Sequence, residues 1–114
     1  SESKCFILLD APHTNEKPPL MREGYRPDAY YCFNNILLIG EAKTSKDFET
    51  RHSIEQYSSY MNKCLEFHGE SSFVLVVPWT EYISAKNLLR RLKKQDGFNI
   101  SVKVANDAGR VEII

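Results

Sequence analysis

The sequence predicts an α/β (α+β) domain: a mixed central sheet with an antiparallel hairpin and a βαβ crossover, flanked by helices. Three observations carry that expectation. An uninterrupted apolar run, Ile36-Leu37-Leu38-Ile39, follows the aromatic-rich stretch Ala29 to Phe33 across the pair Asn34-Asn35. A helical period then runs from about Lys46 to Phe67. A second apolar run, Ser72 to Val77, comes after it and is closed by Pro78. Strand, helix and strand in that order make a right-handed crossover, so the strands on either side of the helix should be parallel.

The bounds agree with one folded unit. A chain of 114 residues suffices for one compact domain and is short for two ordinary ones. It fits equally a domain or fragment of a longer multidomain protein. Hydrophobic residues make up 42% and charged residues 26%, near globular averages. Fifteen basic and fifteen acidic residues cancel, so any nucleic-acid reading must rest on local charge. Cys5, Cys32 and Cys64 fit no zinc spacing and are odd in number. They read as buried free thiols in a reducing compartment. With no apolar run long enough to span a bilayer and no signal-peptide pattern, the expected location is intracellular: cytoplasmic, or nuclear in a eukaryote, with no membrane partner.

Taken in order, Cys5 to Leu9 reads as a first strand, stopped by Asp10-Ala11-Pro12. From Pro12 to Pro27 runs an aperiodic loop carrying His13, Glu16, Lys17, Arg22, Glu23 and Arg26, of a length that is functional or mobile. Ala29–Phe33 and Ile36–Ala42 form the hairpin, with Asn34-Asn35 tolerating left-handed geometry. The unbroken run Ile36 to Ile39 suggests a strand covered on both faces. Thr44 or Ser45 is the expected cap of the first helix, whose apolar face is Ile54, Tyr57, Met61, Cys64, Leu65 and His68. Beside it runs a stripe of His52, Gln56, Tyr60 and Lys63, and Gly69 stops the helix. A second helix, Thr80 to Gln95, buries Tyr82, Ala85, Leu88, Leu89 and Leu92 beneath a basic, solvated face of Lys86, Arg90, Arg91, Lys93 and Lys94. Asn99 to Ala105 and Arg110 to Ile114 are the last strands, joined by the turn Asn106 to Gly109. Trp79, after Pro78, reads as a packing anchor, with base stacking as the alternative.

Chemistry concentrates where the hairpin ends. Glu41 and Lys43, two residues apart on a strand, point to the same face. Asp28 begins the facing strand, so the turn at Asn34-Asn35 brings Asp28 and Glu41 to one end. A bare Glu-x-Lys is common, and Glu2-Ser3-Lys4 also matches it. The conjunction is more specific: Pro27-Asp28, then Glu41-Ala42-Lys43 after an apolar strand, then Gln56-x-x-x-Tyr60 on the following helix.

This combination, from Arg26 to about Pro78, resembles the PD-(D/E)xK nuclease superfamily, and Gln56-x-x-x-Tyr60 resembles the added motif of its RecB-like branch. The resemblance implies a restriction-endonuclease-like core and a metal-dependent (endo)deoxyribonuclease. Asp28 and Glu41, with the Ala42 carbonyl, would hold Mg2+ (or Mn2+ in its place). Lys43 would orient or deprotonate the attacking water or offset charge on the phosphate, and Gln56 and Tyr60 would face the site. DNA is the implied partner, with Arg26, Lys46, Arg51 and His52 as candidate contacts, and a homodimer fits enzymes that cut both strands. Many family members carry a further glutamate on a helix before the first strand. Here only four residues precede that strand, leaving Glu2, Glu16 or Glu23 to take the place.

Plainer readings stand beside these. Asp28 suits a turn after proline, and Glu41 with Lys43 suits an exposed ion pair worth under about 1 kcal/mol. Two other functions also fit the sequence. One is a non-catalytic nucleic-acid-binding module on the same fold, and the other is a protein-interaction domain.

Overall fold

The computed structural model describes residues 7–9 and 17–114. The strands are β1 (Ile7–Leu9), β2 (Ala29–Phe33), β3 (Ile36–Ala42), β4 (Glu70–Val77), β5 (Ser101–Asn106) and β6 (Val111–Ile113). They form one sheet in the order β1-β2-β3-β4-β5-β6. The central pairs β3–β4 and β4–β5 are parallel and the outer pairs antiparallel, so the sheet is mixed, as the sequence predicts. Helices α1 (Arg51–Glu66) and α2 (Tyr82–Gln95) lie in the two crossovers. Cys5, His13, Glu2 and Glu16 lie outside the described residues.

The hairpin turn follows from its two asparagines. Asn34 and Asn35 take φ of 51° and 66°, the left-handed pair a type I′ turn requires. The β2–β3 ladder runs without slip from Phe33↔Ile36 to Ala29↔Gly40. At the same end, the chain leaving α1 passes directly under this turn. Asn35's carbonyl accepts the Glu70 N–H at 3.0 Å. A Cβ at Gly69 would lie 2.1 Å from that carbonyl oxygen, so only glycine fits there. Gly69 therefore serves close approach; the helix has already ended, with Phe67 as its C-cap.

Both crossovers step in the same direction across the sheet, so right-handed connections place both helices on one face. Burial agrees. Leu37, Ile39 and Glu41 of β3, Phe73, Leu75 and Val77 of β4, and Val102 and Val104 of β5 are buried beneath the helices. The alternate residues face the other way. Ile36 and Leu38 are 41% and 37% exposed, and Val111 and Ile113 of β6 more so. The expectation of a β3 covered on both faces is therefore corrected. Two helices on one side cover one face only, and the apolar run continues onto the open side.

The first helix also starts later than expected. Thr44 to Thr50 forms irregular turns, with Asp47 and Phe48 N–H groups donating to the Thr44 carbonyl. Phe48 is drawn into the core, and its carbonyl accepts the Tyr57 hydroxyl at 2.6 Å. Thr50, rather than Thr44 or Ser45, is the N-cap, its Oγ1 accepting the Ser53 N–H. The buried face of α1 comprises Ser53, Gln56, Tyr57, Ser59, Tyr60, Met61 and Cys64, while Leu65 is half exposed. Trp79–Glu81 forms a single 3-10 turn leading into α2. Of the described cysteines, Cys64 is buried as expected and Cys32 is exposed. Among the described residues no helix is long and apolar enough to cross a membrane.

Candidate active site

Asp28 immediately precedes β2, and Glu41 lies one position beyond the Ala29↔Gly40 pair. The next rung of the ladder thus sets Asp28 opposite Glu41. The two interlock. The Asp28 N–H donates to Glu41 Oε1 at 3.2 Å, and the Ala42 N–H donates to Asp28 Oδ2 at 2.8 Å. The Lys43 N–H turns the other way and donates to the Val76 carbonyl on β4, so Ala42 presents its backbone to the Asp28 side.

Lys43 shares the helix-covered face with Glu41, as alternation requires. Its Nζ lies 3.6 Å from Glu41 Oε2 and donates to Gln56 Oε1 at 2.5 Å. Gln56 reaches it from the second turn of α1. Tyr60, one turn further, is buried with its ring 5.8 Å from that of Phe73. Its hydroxyl feels both Glu41 and Gln56, but among the described residues it makes no hydrogen bond of ordinary geometry, and it is sealed from solvent. Burial, then the Glu41 charge, push that phenol well above its ordinary range. It is an orphaned buried polar atom pointing into a cluster of ionisable groups.

The electrostatics of Glu41 are set by this crowding. The residue is 5% exposed, and burial, then the Asp28 charge, raise its pKa from 4.5 to about 7. Lys43 and the Asp28 N–H pull the other way without compensating. Glu41 therefore has the Asp28 charge on one side and a single ammonium, that of Lys43, on the other, and that ammonium is also committed to Gln56. A site in this condition gains from a further cation.

Five sequence-predicted residues thus come together: Asp28, Glu41, Lys43, Gln56 and Tyr60, with Ala42 on the same edge. The nucleic-acid candidates spread around them. Lys46 is exposed in the turn that follows Lys43. Arg51 and His52 open α1; Arg51 pairs with Glu55 at 3.4 Å, and His52 meets the Tyr25 ring edge-on at 5.5 Å. Arg26 is tied back into its own loop, its Nε donating to the Pro18 carbonyl. Glu23 does not reach the carboxylates. It accepts the Ser59 hydroxyl at 2.5 Å, which holds its pKa low, and fixes the loop along α1. Among the described residues no third His, Cys, Asp or Glu joins Asp28 and Glu41.

Two features of this end of the sheet lay beyond the sequence reading. Trp79 is not a packing anchor; it is 66% exposed. Lys86 does not belong to a solvated face, because it is half-buried against Glu112 at 2.6 Å. Its partner lies on β6, and nothing in the spacing of charges announces a pair 26 residues apart. Comparison with family models, with curated proteins and with solved structures returns no match.

Proposed function

We propose that this chain is a Mg2+-dependent deoxyribonuclease of the PD-(D/E)xK type, with a restriction-endonuclease-like core and a RecB-like Gln-x-x-x-Tyr helix. The observation that carries the reading is the interlocked Asp28–Glu41 pair with Lys43 beside it, held by Gln56. An incidental strand-end ion pair would be solvated. This one is buried and short of positive charge.

The donor set suits a hard divalent cation. Magnesium keeps several waters and needs only one or two carboxylates, and the Ala42 backbone lies on the Asp28 side as a further oxygen. Bound there, Mg2+ or Mn2+ would polarise a phosphate and acidify a water. Asp28 and Glu41 would bind it, and the added charge would hold Glu41 in its ionised form. Lys43 holds a proton-bearing Nζ toward the same space, where it orients the nucleophile or faces the charge that develops on phosphorus. Gln56 aims that ammonium through its Oε1, and Tyr60 leaves a hydroxyl free to donate into the site. Lys46, Arg51 and His52 lie where a strand entering over the start of α1 would pass, and Arg26 lines the loop opposite.

The test is cleavage of a panel of single-stranded, duplex and branched DNAs with Mg2+ or Mn2+, against Lys43→Ala and Asp28→Ala. Cleavage by the wild type alone is expected. Cleavage surviving both substitutions overturns the assignment. Salt-sensitive DNA binding with no cleavage under either metal replaces it with the non-catalytic module.

A further inference from the structure

The parallel strands β3, β4 and β5 end together on one rim, the general location of ligand crevices in sheets of this kind. Glu41 and Lys43 occupy the β3 part of that rim. The β4 and β5 part carries a second feature: a cleft of about 650 Å³ lined by Trp79, Thr80, Ile83, Asn106, Ala108 and Arg110.

Its chemistry is that of a stacking platform. Trp79 and Ile83, one helical turn apart, are 66% and 62% exposed. The exposure is built in. Pro78 fixes the approach to the turn, and the Trp79 N–H is tied to Asp107 Oδ1 at 2.9 Å. The same cleft is lined by Arg110, its guanidinium 5.5 Å from the buried Tyr82 ring and bridged to Glu112. Asn106 spends its Oδ1 on the Ala108 and Arg110 N–H groups, which leaves its amide NH2 uncommitted among the described residues. A planar aromatic face, an aliphatic neighbour, a delocalised cation and an amide donor make a set suited to a flat heteroaromatic ligand.

Position makes the ligand specific. Val76 lies beside Ala42, and Trp79 three residues further on, so the Trp79 backbone stands roughly 10 Å beyond Ala42 along the strand direction. That is about three stacked base steps along a strand. We infer that the Trp79–Ile83–Arg110 cleft holds an unpaired nucleobase of the strand whose phosphate lies at Asp28 and Glu41. The preferred substrate class is then DNA with a single-stranded segment, since a base locked in a duplex cannot offer its face to the indole. This inference rests on the nuclease reading for its choice of ligand, yet its readout is binding and needs no cleavage.

Trp79 is the chain's one tryptophan, so its fluorescence reports on this cleft alone. With metal chelated, a short oligothymidylate should quench it saturably, and a duplex of equal length should do so at least about tenfold less tightly. Followed by anisotropy of a labelled oligonucleotide, Trp79→Ala should weaken single-strand binding by about 5- to 100-fold, and Trp79→Phe should restore most of it. An oligonucleotide of abasic sugar-phosphate should bind wild type and Trp79→Ala alike. No quenching by any oligonucleotide, equal quenching by duplex, or Trp79→Ala binding within twofold of wild type each overturns the inference. Quenching without metal-dependent cleavage leaves the platform standing and removes the nuclease reading.

Discussion

Among the described residues, two carboxylate–lysine pairs lie on the helix-covered face of the sheet, and they are electrostatic opposites. At Glu112, on β6, one carboxylate faces two cations: Lys86 at 2.6 Å and Arg110 at 2.7 Å. Hydrogen bonds from Lys86, then Arg110, hold the Glu112 carboxyl below its ordinary range. At Glu41 the one lysine lies 3.6 Å away and a second carboxylate, Asp28, stands beside it, and the Glu41 carboxyl rises to about 7. The residue types are the same. What differs is the count of charges and the depth of burial. A pair with a surplus of positive charge is complete and ties β6 to α2. A buried pair with a surplus of negative charge is incomplete, and its deficit is what a bound cation would fill.

The contrast can be broken most severely at Lys43. Lys43→Ala should lower metal-dependent cleavage by about 10²–10⁴-fold with an unchanged circular dichroism spectrum. Asp28→Ala should do comparable damage. Metal should be felt by only one of the two pairs. Saturating Mg2+ should raise the wild-type stability by about 2–3 kcal/mol in thermal melts, and Asp28→Asn or Glu41→Gln should abolish that rise. A rise that persists in both variants would place the cation elsewhere.

A third effect is pH-dependent. Glu41 binds more protons folded than unfolded between its ordinary 4.5 and about 7, so without metal its contribution to stability falls as pH rises through that window. Glu41→Gln mimics the protonated form. At about pH 8 it should be more stable than the metal-free wild type by about 1–3 kcal/mol, a gap that closes near pH 4.5, while cleavage is lost. Equal stability at both pH values would mean the carboxylate is solvated. The smallest effect is expected at the satisfied pair. Lys86→Met should leave cleavage within about twofold of wild type and lower the melting temperature by only a few degrees.

Much of this could be read from the residues because the relevant rules are local. Alternation puts Glu41 and Lys43 on one face, and an Asn-Asn turn sets the register that brings Asp28 to Glu41; both hold in the structure. The stripe holding Gln56 and Tyr60 was visible at helical spacing, but its depth was not. Leu65 looked like core and is half exposed, whereas Gln56 is buried, because α1 is rotated to lay its polar stripe over the lysine. Helix start went astray for a similar reason. Thr44 and Ser45 offer capping side chains as good as Thr50, and only the burial of Phe48 decides among them. The one-sided cover of β3 is a property of crossover direction, which no single strand's composition records.

Gly69 lies at the end of the sheet furthest from any chemistry, and its effect reaches the whole length of β3. The parallel ladder begins there, with Ile36↔Glu70, and finishes at Ala42↔Val76 beside the carboxylates, roughly 20 Å away. A strand's side chains change face with every residue of slip. If a bulkier residue at 69 pushed the ladder over by one position, Phe73 and Leu75 would turn out to the bare side of the sheet and the floor under Gln56 and Tyr60 would go with them. The fastening under the asparagine turn therefore acts as a datum for the register of the ladder up to the rim. Thermal breathing should start at the rim, while the alignment of the acidic pair is kept by a residue that has no side chain.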